Sequence, residues 1–238
     1  EDAGAAGPGD VVRLTGAEAH HAAAVRRIRV GEDVTVGDGR GVWLTGTVSA
    51  AAPKEVSVEV STRAEVPAAS PRTVLVQALA KGDRDELAVQ AATELGVDAI
   101  MPWQAARSVS RWEGPKVAKG VARWETIARE AAKQAHRPWL AELHQPVSTR
   151  QLAALAQNAR MLVLEPTASV ALSRIEIDAA DASDVILVVG PEGGISPEEL
   201  DLLQSAGATL VRLGDTVLRT STAGPAALAV VNAALGRW

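Results

Sequence analysis

Along residues 11–62 the apolar positions fall in short runs that alternate with polar ones or cluster β-branched side chains. These runs are 11–14, 33–36, 41–48 and 55–60. Alternation over four to eight residues is the mark of a strand with one buried face. Gly37-Asp38-Gly39-Arg40-Gly41 is a turn between two of them. One short helix is expected within residues 17–29, with basic residues at 26, 27 and 29. Short strands punctuated by glycine turns predict a small β-barrel.

The pattern changes at residue 73. Apolar runs at 73–79, 97–101, 161–164, 185–189 and 210–213 predict buried strands. Between them lie helical patterns. Asp83 is expected to cap a helix with Leu87, Ala91 and Leu95 on its apolar face and Gly96 at its end. Residues 115–135 read as a long helix stopped by Pro138. Ser196-Pro197-Glu198-Glu199 is a capping box with Pro at the first helical position, and Gly207 closes that helix. A last helix is expected from about Thr222 to Leu235. Strands alternating with helices predict a largely parallel α/β sheet. The expected organisation is a β-barrel domain over residues 1–70 and an α/β domain over 71–238, with a proline-bearing linker at 63–71.

Composition narrows the chemistry. The 238 residues contain no Cys and four His, none in a His-Glu-x-x-His arrangement, so no metal site is expected. No apolar run reaches the roughly 18 residues of a membrane span, and no basic-then-apolar leader opens the sequence. A soluble cytoplasmic protein is the expectation. The net charge of −5 argues against a nucleic-acid partner only as a sum. Residues 101–140 carry eight Lys and Arg against three Glu, whereas residues 160–238 carry five Arg against ten acids. The middle of the chain is therefore basic, either as a solvated helix face or as an RNA-facing one.

Ligands of parallel α/β sheets sit beyond the carboxyl ends of strands. Three loops at predicted strand ends suit close approach: Leu164-Glu165-Pro166-Thr167, Gly190-Pro191-Glu192-Gly193-Gly194-Ile195, and Leu213-Gly214 through Val217-Leu218-Arg219-Thr220-Ser221-Thr222-Ala223. There is no phosphate-binding Gly-x-x-x-x-Gly-Lys-Ser/Thr and no Gly-x-Gly-x-x-Gly after a strand. By spacing alone the loops point to a neutral or zwitterionic small molecule held by backbone groups, or simply to tight turns.

These motifs together resemble the knotted (SPOUT) methyltransferases and, more narrowly, the ribosomal RNA small subunit methyltransferase E family. The resemblance extends through Lys81-Gly82-Asp83-Arg84, Glu94-Leu95-Gly96-Val97, Arg107-Ser108, Arg129-Glu130-Ala131 and Gln134-Ala135-His136-Arg137. His20, Val25-Arg26-Arg27, Gly31 and Asp38-Gly39-Arg40-Gly41 are similar to the family's N-terminal RNA-binding domain. The resemblance implies a PUA-like barrel followed by a trefoil-knotted parallel-sheet domain. It implies S-adenosylmethionine as cofactor, bound by the three loops at residues 164–166, 190–195, 213–214 and 217–223. It further implies a homodimer that methylates N3 of a uridine in the decoding region of 16S ribosomal RNA. Rival readings are a transfer-RNA substrate, a non-catalytic RNA-binding protein, and a small-molecule enzyme.

Within that frame Arg219 is expected to stabilise negative charge on the base, or else to pair with Glu192 or Asp215. Glu192 is expected to take a proton, orient Arg219, or hold the glycine loop. Arg26, Arg27, Lys81, Arg107, Lys133, Gln134, His136 and Arg137 are expected RNA contacts. The sequence departs from the family at Ser221, where Glu is usual, and at Ala135-His136. Ser221 is expected to serve in capping the last helix.

Overall fold

A computed structural model describes residues 3–238, which divide into two compact units. The first comprises residues up to Ala68 together with Arg137–Leu140. The second comprises Ala69–His136 and Ala141–Trp238.

In the first unit β1 (Val11–Thr15), β2 (Asp33–Gly37), β3 (Val42–Ala52) and β4 (Glu55–Glu65) form an antiparallel sheet in the order β1-β4-β3-β2. Its alternating pattern buries Val42, Leu44 and Val48 from β3 and Val56, Val58 and Val60 from β4. The expected single helix is instead a five-residue α1 (Gly16–His20) running into a π turn (His21–Val25). It stops there, and Arg27 takes a left-handed φ of 53°. Residues 137–140 complete this unit. Gly41 N–H donates to the Pro138 carbonyl at 3.0 Å, and Trp139 Nε1 donates to Val66 at 2.8 Å. Gly41 must be glycine, because a Cβ would stand 2.5 Å from the Val66 carbonyl oxygen.

The second unit is a six-stranded, wholly parallel sheet. It comprises β5 (Thr73–Ala78), β6 (Ala99–Trp103), β7 (Glu142–Leu143), β8 (Arg160–Leu164), β9 (Val185–Val189) and β10 (Thr209–Val211), in the order β10-β8-β9-β5-β6-β7. Helices cover both faces. α2 (Arg84–Glu94), α3 (Pro115–Gln134) and α6 (Thr220–Ala234) pack against Leu75, Leu187 and Val189. α4 (Thr149–Leu155) and α5 (Pro197–Ser205) pack against Val74, Val76, Ile186 and Val188. Coverage on both sides explains why β5, β6 and β9 are buried at every position.

Several local expectations are corrected. β6 begins two residues later than predicted, and α4 and β7 were not anticipated. Asp83 holds the N-cap position of α2 without a side-chain cap bond. The buried face of α2 is Asp85, Ala88, Val89, Ala92 and Thr93, while Leu87 is 49% exposed. Small residues let α2 lie close to its neighbours, and that tertiary gain outweighs the pull of one leucine. α3 ends at Gln134, before Pro138 is reached, with His136 in a left-handed φ of 52°. That is the role glycine usually plays after a helix.

α6 reaches the sheet through Gly224. A Cβ there would lie 2.9 Å from Leu75 Cδ1 and 3.3 Å from Val189 Cγ2. Gly224→Val is expected to lower stability by about 1–3 kcal/mol through overpacking. Urea denaturation checks this, and an unchanged midpoint would contradict the close approach.

Candidate functional site

The carboxyl ends of β8, β9 and β10 open on one cavity of about 400 Å³. Its lining comes from all three loops singled out above: Leu164, Glu165 and Pro166; Gly190, Pro191, Glu192, Gly194 and Ile195; and Leu213, Gly214, Val217, Leu218, Arg219, Thr220 and Ala223. Arg84, Val189, Val211, Arg212 and Thr216 also line it. Gly193, Ser221 and Thr222 are not part of the lining.

Each loop is shaped locally. Gly194 has a φ of +73° and Gly214 one of +128°, conformations that side chains resist. Gly190 has no room for a Cβ, which would fall 2.6 Å from Ile195 Cγ1. Gly193 lies against Arg107, whose Nη1 donates to the Gly193 carbonyl at 3.3 Å. Glu165 turns its own loop by accepting from the backbone N–H and hydroxyl of Thr167.

The capping box of α5 does more than cap. The Glu199 carboxylate accepts from Ser196 N–H, and it also accepts from Ala106 N–H at 2.9 Å and Thr149 Oγ1 at 2.7 Å. Buried Glu199 thus ties the segment bearing Arg107 to the helix that follows the Gly190–Gly194 turn. The sequence marked Glu199 only as a cap.

Most charges around the cavity are paired. Glu192 Oε1 accepts from Arg84 Nη1 at 2.9 Å and from Lys81 N–H at 3.0 Å. Arg212 pairs with Asp215. Neither acid meets Arg219. Among the described residues, no ion pair or side-chain hydrogen bond engages the Arg219 guanidinium, which is exposed at the cavity. Arg219 is itself the N-cap of α6, without a side-chain cap bond. The capping role expected of Ser221 is therefore corrected: α6 starts one residue before it. Thr220 makes the bonds at this helix start. Its hydroxyl donates to the Gly190 carbonyl and accepts from Gln77 Nε2, each at 2.9 Å.

The basic residues are spread. Lys81 and Arg107 both touch the Gly190–Gly194 loop, the first through its backbone. Lys133, Gln134 and His136 lie at the C-terminal end of α3, where Lys133 pairs with Glu130 at 3.0 Å. Arg26, Arg27 and Arg137 belong to the first unit. Among the described residues no cluster of His, Asp and Glu has the arrangement of a metal site, and no helix is long and apolar enough to cross a membrane.

Burial pushes the Glu192 carboxyl up. Its own backbone N–H, the Lys81 N–H and the Arg84 guanidinium together outweigh that effect and hold it below the ordinary 4.5. A lowered folded-state pKa means that the carboxylate's stabilisation is present above pH 4.5 and is lost as pH falls through the folded value. Glu192→Gln should therefore be less stable than wild type at pH 7, with the gap closing in more acidic buffer. Urea midpoints of both proteins across that range test this, and a gap that stays constant contradicts it.

Residues 68–232 match the RNA methyltransferase domain family, and residues 14–61 match the RNA methyltransferase PUA domain family. The chain is 44% identical to ribosomal RNA small subunit methyltransferase E of Mycobacterium bovis, over 97% of this chain and 89% of that protein. It is 31% identical to the enzyme of the same name from Bacillus subtilis, over 92% of this chain and 88% of that one. Among solved structures, a protein of Legionella pneumophila in complex with the bound cofactor SAM superposes with a TM-score of 0.85 at 33% identity, covering 96% of this chain and 94% of that one. Ribosomal RNA small subunit methyltransferase E of Neisseria gonorrhoeae bound to S-adenosyl methionine gives 0.84 at 27% identity, covering 96% and 93%. The cavity loops, the parallel sheet and these matches converge on one assignment: the chain belongs to the ribosomal RNA small subunit methyltransferase E family.

Proposed function

We propose that this protein transfers the methyl group of S-adenosylmethionine to N3 of a uridine in the decoding region of 16S ribosomal RNA. The observation that carries the reading is the convergence of three glycine- and proline-bearing strand-end loops on one cavity. It is joined to 44% identity with a named small-subunit RNA methyltransferase. We place the enzyme in the cytoplasm, where the small ribosomal subunit is found, and read it as a homodimer. Val217 supports the dimer: it is an apolar side chain 79% exposed at the cavity, which a second subunit would cover. We read the parallel sheet as the trefoil-knotted domain that the family resemblance implies.

The residues present fit the cofactor. The cavity is within the range of small-ligand pockets. Its walls combine apolar Leu164, Val189, Ile195, Leu213 and Leu218 with exposed backbone of the glycine turns. Its acids are already paired or turned into their own loops. Such a lining suits an adenosyl group and a zwitterionic tail better than a polyphosphate. When bound, the cofactor supplies an activated sulfonium methyl.

The chain's own residues then have two tasks, alignment and charge. Uridine N3 carries a proton at neutral pH, and negative charge spreads to the base oxygens as that proton leaves to solvent water. Arg219 is suited to hold that charge, because it brings a guanidinium cation to the cavity that no acid among the described residues neutralises. Glu192 is suited to hold the Gly190–Gly194 loop against Lys81 and Arg84, since its depressed pKa makes it a weak base. Arg107 and Lys81 flank the same loop, and we read them as RNA contacts. The nucleotide must leave its stack to reach a cavity of this kind.

Small-subunit RNA, free and within assembled subunits, incubated with labelled S-adenosylmethionine should gain one methyl, mapped by mass to N3 of a uridine. Label in transfer RNA alone would overturn the reading. Arg219→Ala should keep cofactor affinity within about fivefold while methyl transfer falls at least about 100-fold. Turnover surviving within a fewfold would remove Arg219 from the chemistry.

A further inference from the structure

A strand covered by helices on both faces is normally made of Val, Ile and Leu. β5 keeps that rule except at its ends and at Gln77, which is fully buried. Gln77 Nε2 donates to Thr220 Oγ1 at 2.9 Å and to the Ala78 carbonyl at 3.2 Å. The Thr220 hydroxyl has a single proton, which it gives to the Gly190 carbonyl. The direction of this chain of bonds is set by Ala78. Turning the amide over would place Gln77 Oε1 against the Ala78 carbonyl, acceptor to acceptor. It would also draw the Thr220 proton away from Gly190.

In the orientation that satisfies both neighbours, Gln77 Oε1 is buried with no hydrogen-bond partner among the described residues. A buried acceptor without a partner opposes folding, and a leucine of similar size would remove the problem. Local rules broken in this way are expected where function requires it. Thr220 and Gly190 both line the cavity, one at the start of α6 and one at the end of β9, whereas Gln77 does not touch it.

We propose that Gln77 is a positioning residue of the cofactor site. Through Thr220 it locks the loop after β9 to the first turn of α6, and so sets the spacing of two segments that line the cavity. The inference rests on the reading of this cavity as the S-adenosylmethionine site. Gln77 orients the Thr220 hydroxyl toward Gly190, leaving the other face of the Gly190 loop to the ligand. Without the amide, nothing on the Gln77 side fixes the hydroxyl's direction, and the tie between the two segments is weaker.

The test separates affinity from stability. In Gln77→Leu, S-adenosylmethionine should bind about tenfold more weakly by isothermal titration. The KM for the donor should rise more than kcat falls. The urea midpoint should equal or exceed that of wild type. Thr220→Val, which loses both bonds, should bind at least as weakly, and Thr220→Ser should recover most of what Thr220→Val loses. Wild-type affinity in Gln77→Leu would overturn the inference. So would a loss of affinity that follows a loss of stability, with Thr220→Ser as weak as Thr220→Val. If Gln77→Leu does not fold, the Thr220 pair decides by the same criteria. Wild-type protein that does not bind S-adenosylmethionine would overturn the cofactor reading itself, a result distinct from equal binding by wild type and variant.

Discussion

One row of backbone pairing aligns the site. Val211 pairs with Leu164, Leu164 with Val189, and Val189 with Gln77, so four parallel strands reach the same level at their carboxyl ends. All three cavity loops leave from that row. Parallel strands bring their ends together only when the intervening chain returns each time across a face of the sheet, and four of those returns carry the helices α2, α3, α4 and α5 that help to bury it. The cavity is therefore a by-product of a fully covered sheet. Its position is set by strand register, and its shape is set by where glycine lets the backbone turn or approach.

Polar groups beneath the loops hold that arrangement with few ions. Glu199 collects donors from Ser196, Ala106 and Thr149, and it joins the Arg107 segment to the start of α5. Glu192 does the same between the Gly190–Gly194 turn and the segment at Lys81. Thr220 links Gly190 to α6. Glu199 is held by backbone N–H groups and a hydroxyl, Glu192 by a backbone N–H and the Arg84 guanidinium, and both keep neighbouring loops in register. With the acids so engaged, Arg219 is left as a cation facing the cavity. That electrostatic asymmetry is what the proposed chemistry uses.

Legibility in the sequence varied with how local the determining physics was. The capping box at Ser196–Glu199 was readable because both of its bonds lie within one turn. Five of the six strands of the parallel sheet were readable because burial leaves a continuous apolar run, whereas β7, two residues at the sheet edge, left none. The buried face of α2 was not, because the choice between Leu87 and the Ala88–Ala92 face depends on how closely its neighbours approach. The start of α6 was placed two residues late, since Arg219 takes the N-cap position with no capping side chain to signal it. Gln77 carried a visible signal, a polar residue inside an apolar strand, but its partner lies 143 residues away.

The sequence by itself determined the alternation of strands and helices, the three strand-end loops and the family they resemble. Each of these is written in residues close together along the chain. Tertiary structure alone decided that Glu192 meets Arg84 and not Arg219, that residues 137–140 complete the first unit, and that Gln77 meets Thr220. Those pairings depend on strand order and helix placement. Strand order follows from burying both faces of the sheet at once, a condition that no local stretch of sequence contains.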